Sequence, residues 1–144
     1  MIPLDEIPSD KFKHIAEEFN LELMLLFGSQ VSCRAAKGSD IDVAILREIP
    51  LSNSEYAELL HCLGVIFKDF RVELTMLRHA SPLLRGQIAR NCKLLYEKKA
   101  GMFLRFRLSA IRQYIDASSI FSLRRKYLNQ KIKKFEREIA GGTG

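Results

Sequence analysis

The segment of residues 23–46 constrains this chain most, because two apolar runs enclose a polar loop there. Its first letters, LMLLF, predict a buried strand that stops at Gly28-Ser29, where a residue without a Cβ allows a sharp turn and close approach of a ligand. After ten intervening residues, Asp40 and Asp42 open the second apolar run. In a strand, both carboxylates point to the same face, about 6.6 Å apart along it.

We expect a cation to bind these aspartates, because two carboxylates on one face otherwise repel each other. The fitting partner is a hard divalent ion such as Mg²⁺, which prefers oxygen ligands and completes its shell with water and substrate phosphates. A third carboxylate, Glu73, lies in the middle of the polar side of RVELTML, whose strict alternation predicts another strand. A Gly-Ser turn, a DxD pair and a third carboxylate are the parts that phosphoryl and nucleotidyl transfer require.

Each of these parts has an expected role in that chemistry. The backbone N–H groups and the hydroxyl at Gly28-Ser29 can hold the outer phosphates of a nucleoside triphosphate. Asp40 and Asp42 are expected to ligate two metal ions about 3.5 to 4 Å apart, which neutralise the attacking oxygen and the leaving pyrophosphate. Glu73 is expected to complete the ion beside the nucleophile and to accept its proton. The predicted catalytic and metal-binding residues are therefore Asp40, Asp42 and Glu73.

Composition narrows the class of protein. With 144 residues, 47% of them hydrophobic, the chain suits one globular domain, and its mean hydropathy of −0.05 argues against disorder and against a membrane protein. No apolar run reaches the roughly eighteen residues of a spanning helix, and the acidic start lacks the basic region of a signal peptide. We therefore expect a cytoplasmic protein with no membrane partner. The three scattered cysteines, without a CxxC pair, support neither a disulfide framework nor a thiolate zinc site.

The apolar patterns change at residue 100. Before it, helical and strand patterns alternate, which predicts an α/β (α+β) core with a mixed sheet and helices on it. After Gly101, two amphipathic stripes predict a C-terminal helical pair. We expect a core at 1–100, a helical extension at 101–140 packed on or beside it, and a flexible tail at 141–144. Charge divides at the same point, with a net charge of −1 in residues 1–100 and +7 in residues 101–144.

These motifs resemble the minimal nucleotidyltransferases of the DNA polymerase β superfamily, whose signature is GS, ten residues and DxD. Ser39, which precedes the first aspartate, and the segment CKLLYEK also resemble this family. The segments RFRLSAIRQYID and RRKYLNQKI resemble its MntA-like subgroup. It implies a nucleotidyltransferase core. The family carries arginines near the positions of Gln30 and Ser32 and a glycine at the position of Cys33. This chain lacks those arginines, and Arg34 and Lys37 are the cations of its loop. The expected nucleotide-binding residues are Gly28, Ser29, Arg34, Lys37 and Ser39.

The resemblance also implies a partner. In the MntA-like subgroup the nucleotidyltransferase is the antitoxin of a small helical HEPN-type RNase, and similarity implies Mg²⁺-dependent transfer of AMP, or another NMP, from ATP to a tyrosine of that toxin. The alternative is a non-catalytic module that binds nucleotide, neutralises a partner or engages RNA through its basic helices. Nucleic acid is the less favoured partner, because no aromatic residues stand among the cations on their polar side. A homodimer is left open.

Overall fold

The structure, a computed structural model, describes residues 4–31, 40–68 and 70–141, except for the side chain of Gln30. The elements in chain order are α1 (Ser9–Glu18), β1 (Leu23–Phe27), β2 (Ile41–Leu46), α2 (Asn53–Phe67), β3 (Val72–Met76), α3 (Pro82–Arg90), β4 (Cys92–Glu97) and α4 (Met102–Gly141). The four strands of these described ranges form one sheet in the order β3-β2-β1-β4. Strand β1 is antiparallel to β2 and β4, whereas β2 and β3 are parallel. The predicted mixed sheet is confirmed.

Two of the helices begin where capping chemistry predicts. Ser52 caps α2: its hydroxyl accepts the Glu55 N–H at 3.1 Å, and the Glu55 carboxylate accepts the Ser52 N–H at 3.5 Å. Ser81 caps α3 in the same way through its hydroxyl. Such caps stabilise a helix by about 1 kcal/mol each. Helix α1 differs, because Ser9 is its first residue and Pro8 occupies the cap position without a side-chain hydrogen bond.

Helices cover both faces of the sheet. Successive side chains of β1 and β2 point to opposite faces, so alternate residues contact different helices. The first face, which packs against residues of α1 and α2, includes Met24, Leu26, Ile41, Val43 and Ile45. The second face, which packs against residues of α3 and α4, includes Leu23, Leu25, Ala44 and Leu77. Asp42, two residues before Ala44 on β2, follows the same alternation and therefore lies on the second face.

The helical C-terminal region is confirmed, but it is one helix of 40 residues and not the predicted pair. No glycine or proline interrupts residues 102–140, and the Ser119 hydroxyl donates to the Ile115 carbonyl at 3.0 Å, so it is accommodated within the helix. Gly141, assigned to a tail, ends α4, and residues 142–144 lie outside the described part. In the described ranges no helix, α4 included, is long and apolar enough to cross a membrane.

Two of the three cysteines lie in the described part of the chain. Cys62 and Cys92 are free, half-buried thiols. Burial raises the pKa of each thiol; Glu18 and Glu58 raise that of Cys62 further, while Arg107 lowers that of Cys92. A raised pKa keeps a thiol protonated and unreactive at neutral pH. Cys33 lies outside the described residues.

Gly86 allows α3 and α4 to pack closely. A Cβ at Gly86 would lie 2.4 Å from the Tyr114 Cβ, so one helix would have to move. We expect Gly86→Ala to lower the free energy of unfolding by about 1 to 3 kcal/mol, the usual cost of overpacking. Urea unfolding measures the effect. Gly64→Ala in α2 is the matched control, because nothing lies within 4 Å of that Cβ, and it should stabilise the protein by up to about 1 kcal/mol through helix propensity.

Candidate active site

Strand pairing places the three predicted carboxylates at the same end of the sheet. Asp42 of β2 and Glu73 of β3 are register partners in the parallel pair, so their side chains leave the same face. Asp40 directly precedes β2 and lies two residues before Asp42. The start of β2 is fixed to the start of β3 by the Ile41 N–H, which donates to the Arg71 carbonyl at 2.7 Å. The carboxylates therefore occupy defined positions on two neighbouring strands.

The electrostatics of Asp42 reflect this grouping. Burial raises the pKa of Asp42, and the negative charges of Glu73 and Asp40 raise it further. A carboxyl whose pKa is higher in the folded than in the unfolded protein stabilises the fold most below its unfolded pKa, and that contribution is lost as pH rises through the raised pKa. At neutral pH the ionised Asp42 carboxylate therefore opposes folding. A bound cation would remove this penalty.

The Gly-Ser turn lies directly against the Asp42 carboxylate. Phe27, the last residue of β1, is the register partner of Asp42. The chain then enters a single 3₁₀ turn, Gly28–Gln30, closed by the Val31 N–H, which donates to the Gly28 carbonyl at 3.2 Å. Gly28 has φ +79°, and a Cβ on it would lie 2.2 Å from Asp42 Oδ2. Only glycine fits between turn and carboxylate, so the two sequence motifs form one site.

The donor chemistry of this cluster fits a hard divalent cation. Carboxylate oxygens are the ligands that Mg²⁺ prefers, and softer metals would select thiolate or imidazole ligands. Across the described ranges, no three His, Cys, Asp or Glu side chains converge closely enough to hold a metal ion as they stand. The Glu73 side chain is exposed, so it can change rotamer toward Asp42 without leaving a packed core. The residues present fit the ion, although their arrangement is open.

The other predicted nucleotide-binding residues divide into two groups. Gly28 and Ser29 lie in the 3₁₀ turn, which packs against β2. Arg34, Lys37 and Ser39 lie outside the described residues. One positioning group was not predicted, namely the Arg71 carbonyl that fixes the start of β2. No sequence signal could have indicated it, because every residue carries a carbonyl.

The proximity of Asp42 and Glu73 can be tested without any activity measurement. We expect Glu73→Gln to lower the pKa of Asp42, because it removes one of the two charges that raise it. The pKa should stay above its usual value, because burial is the largest cause and is unchanged. NMR titration of the Asp42 side-chain carboxyl carbon measures this. Glu97→Gln, on β4, is the control; an equal change in both variants, or none in either, would contradict the arrangement.

Comparison with known proteins agrees with this geometry. Residues 10–100, more than half of the chain, match the family model "Polymerase beta, Nucleotidyltransferase". No curated protein matches the chain significantly.

Several solved structures are similar to most of the chain, and three of them serve as examples. One is a toxin-antitoxin structure with AMP-PNP, at TM-score 0.68 and 26% identity, covering 83% of this chain and 97% of the other. A complex of tri-AMPylated Shewanella oneidensis HEPN toxin with MNT antitoxin gives TM-score 0.63 and 25% identity over 83% and 94%. The toxin-antitoxin pair MntA-HepT gives TM-score 0.63 and 25% identity over 83% and 95%. With its mixed sheet and its Gly-Ser and DxD motifs in one site, this chain belongs to the polymerase beta nucleotidyltransferase family.

Proposed function

We propose that this nucleotidyltransferase transfers AMP from ATP to a hydroxyl group of a partner protein, and that the acceptor is a tyrosine of a HEPN-type toxin. The observation that carries the proposal is the close approach of Gly28 to the Asp42 carboxylate, which places the turn proposed to bind phosphate beside the carboxylate cluster. The choice of ATP and of a HEPN-type toxin is supported by the similar structures, which include a toxin-antitoxin structure with AMP-PNP and a tri-AMPylated HEPN toxin.

We propose that Asp40, Asp42 and Glu73 hold Mg²⁺, with two ions expected. When bound, these ions neutralise phosphate charge and lower the pKa of the acceptor hydroxyl. Asp42 is the central ligand in this proposal, because burial and then the charges of Glu73 and Asp40 raise its pKa, and a bound cation would stabilise its ionised form. The backbone N–H groups of the turn at Gly28 and Ser29 would hold the triphosphate. The loop residues Arg34, Lys37 and Ser39 would add further phosphate contacts.

The placement of Glu73 suits a macromolecular acceptor. Strand β3 is an edge strand, and the Glu73 side chain is exposed. An acceptor hydroxyl that arrives from this edge can transfer its proton to the Glu73 carboxylate. Its oxygen then forms a bond to the α-phosphorus of ATP, and the bond to the pyrophosphate leaving group breaks. The product is a phosphodiester between AMP and the acceptor.

Radiolabelled ATP tests this function. The chain is incubated with Mg²⁺, ATP labelled at the α-phosphate and a HEPN-type toxin, and label on protein is measured by gel and located by mass spectrometry. We expect AMP on a tyrosine of the HEPN-type protein, and none with ATP labelled at the γ-phosphate. Label from the γ-phosphate would indicate a kinase. Stable complex formation without any label would favour the non-catalytic module.

A further inference from the structure

A small cavity lies at the end of the sheet opposite the carboxylate site. It is formed by the ends of β2 and β3, the segment after β2 and the start of α2, and its volume is about 170 Å³. Arg47, which lines the cavity and directly follows β2, is five residues along the chain from Asp42, or about 16 Å at 3.3 Å per residue. The cavity is therefore separate from the site that we propose for nucleotide and metal.

The apolar part of the cavity suits a single flat ring. It is lined by five aliphatic or thioether side chains and one aromatic ring, namely Ile45, Ile49, Pro50, Leu51, Met76 and Tyr56. An apolar cavity of about 150 Å³ binds one benzene molecule, so a cavity of this volume accommodates one six-membered ring with a small substituent. Ile49 is 62% exposed and Tyr56 is 38% exposed, so a ligand can enter without opening the core.

The polar part of the cavity suits an anionic substituent. It consists of two guanidinium groups, an imidazole and an amide, from Arg47, Arg78, His79 and Asn53, and no carboxylate group lines the cavity in the described part of the chain. Asn53 is the first residue of α2, so the positive end of that helix dipole also lies at the cavity.

The carboxylates near the cavity leave one positive charge uncompensated. Glu55 forms an ion pair with Arg47 and offsets its charge. Arg78 forms no ion pair with any described residue; one of its N–H groups donates to the Arg47 carbonyl at 3.5 Å, and four remain for a ligand. Glu48 is exposed and does not line the cavity. Arg78 is therefore the cation that a bound anion would meet.

Arg47 offers a second donor at the same cavity. Only 15% of its side chain is exposed, and its ion pair with Glu55 holds the guanidinium in place. Its Nε–H is buried and has no hydrogen-bond acceptor among the described residues. Because a buried donor without an acceptor is unfavourable, an oxygen atom placed beside it would stabilise the site. Both arginines thus favour a ligand that brings acceptor oxygens.

We propose that this cavity binds a small aromatic carboxylate. The ring occupies the apolar part, and the carboxylate accepts hydrogen bonds from the Arg78 guanidinium, whose planar fork matches the two oxygens. A neutral ring would leave these donors unused, and a cationic ring would be repelled by Arg78. The proposal does not depend on catalysis, because none of the residues that line the cavity belongs to the carboxylate site.

Three compounds with the same ring test the proposal on the full chain, because benzoate, benzamide and benzylamine carry a negative, a neutral and a positive substituent. NMR titration follows the side-chain methyl groups of Ile45, Leu51 and Met76. We expect benzoate to shift these resonances and to bind at least about tenfold more tightly than benzamide, because a hydrogen bond to a charged group is stronger than a neutral one. Benzylamine should leave the resonances unchanged.

Two arginine variants separate this cavity from general attraction of charge. Arg78→Gln should weaken the binding of benzoate at least about tenfold, because it removes the charge and the guanidinium fork while keeping a polar side chain. Arg124→Gln, on the exposed part of α4, is the matched control and should bind benzoate as tightly as the unmodified chain. Both positions are exposed, and the methyl spectrum without ligand verifies that each variant is folded.

The proposal is overturned if benzoate at millimolar concentration shifts none of these methyl resonances, if benzamide binds as tightly as benzoate, or if Arg78→Gln binds as tightly as Arg124→Gln. Inorganic phosphate that binds as tightly as benzoate would assign the arginines to an anion without a ring. Shifts that are lost in Asp42→Asn would place benzoate at the nucleotide site. Either of these results would also overturn the proposal.

Discussion

Gly28→Ala is expected to lower the rate of nucleotidyl transfer by about 100-fold or more, since a displacement near 1 Å in a catalytic site has that effect. The new Cβ would lie 2.2 Å from Asp42 Oδ2 and 3.0 Å from the Asp42 Cγ. Because this contact is far inside van der Waals distance, either the turn or the carboxylate must move. A moved turn misplaces the triphosphate, and a moved Asp42 misplaces the metal that we propose for it.

The backbone contributes a second cost, which a control separates from the first. Gly28 has φ +79°, a conformation that costs a residue with a Cβ about 1 to 2 kcal/mol. Gly101 has φ +86° as well, but nothing lies within 4 Å of its Cβ position. Gly101→Ala should therefore lose similar stability and keep its activity. Single-turnover transfer and urea unfolding measure both quantities, and equal activity loss in the two variants would refute the contact with Asp42 as the cause.

Asp42→Asn is expected to abolish transfer, with a loss of about 1,000-fold or more, because a lost metal ligand removes several kcal/mol of transition-state stabilisation. The same substitution should not lower the free energy of unfolding. The carboxylate at this position is disfavoured by burial and by the charges of Glu73 and Asp40. Removing its charge should leave the metal-free protein as stable as before, or more stable, at neutral pH.

The pH dependence of stability distinguishes this variant from an ordinary loss of structure. In the metal-free wild-type protein, Asp42 should lower the free energy of unfolding as pH rises from its pKa in the unfolded protein through its raised pKa in the folded protein. Asp42→Asn should lack this fall, whereas Asp116→Asn, on the exposed side of α4, should keep it. Urea unfolding in EDTA at several pH values measures the difference. An Asp42→Asn protein with a tenth or more of wild-type activity would contradict the metal-site proposal, as would a large loss of stability.

Local chemistry predicted most of the core elements. The strict alternation of RVELTML lies within seven residues, so the strand β3 could be predicted from the sequence. The predicted C-terminal helical pair is wrong, because both amphipathic stripes lie on the single helix α4. Nothing in that segment ends a helix, since it contains neither glycine nor proline before Gly141.

The sequence predicted the residues of the candidate site, but not how the fold places them next to each other. The spacing of Gly28, Ser29, Asp40 and Asp42 indicated the chemistry, because those residues lie on one strand-loop-strand segment. Glu73 could be assigned to a polar strand face, yet its pairing with Asp42 depends on the parallel register of β2 and β3. Register is a tertiary property set by the whole sheet, and a single sequence does not contain it in readable form.

Calorimetric titration of ATP into the chain, with Mg²⁺ or with EDTA, tests the central claim most directly, because it asks whether the turn and the carboxylates act as one site. With Mg²⁺ we expect the wild-type protein to bind ATP, and EDTA or Asp42→Asn should each weaken that binding strongly. Affinity that is the same with Mg²⁺, with EDTA and in Asp42→Asn would contradict the claim, since the nucleotide would then bind without the carboxylate site.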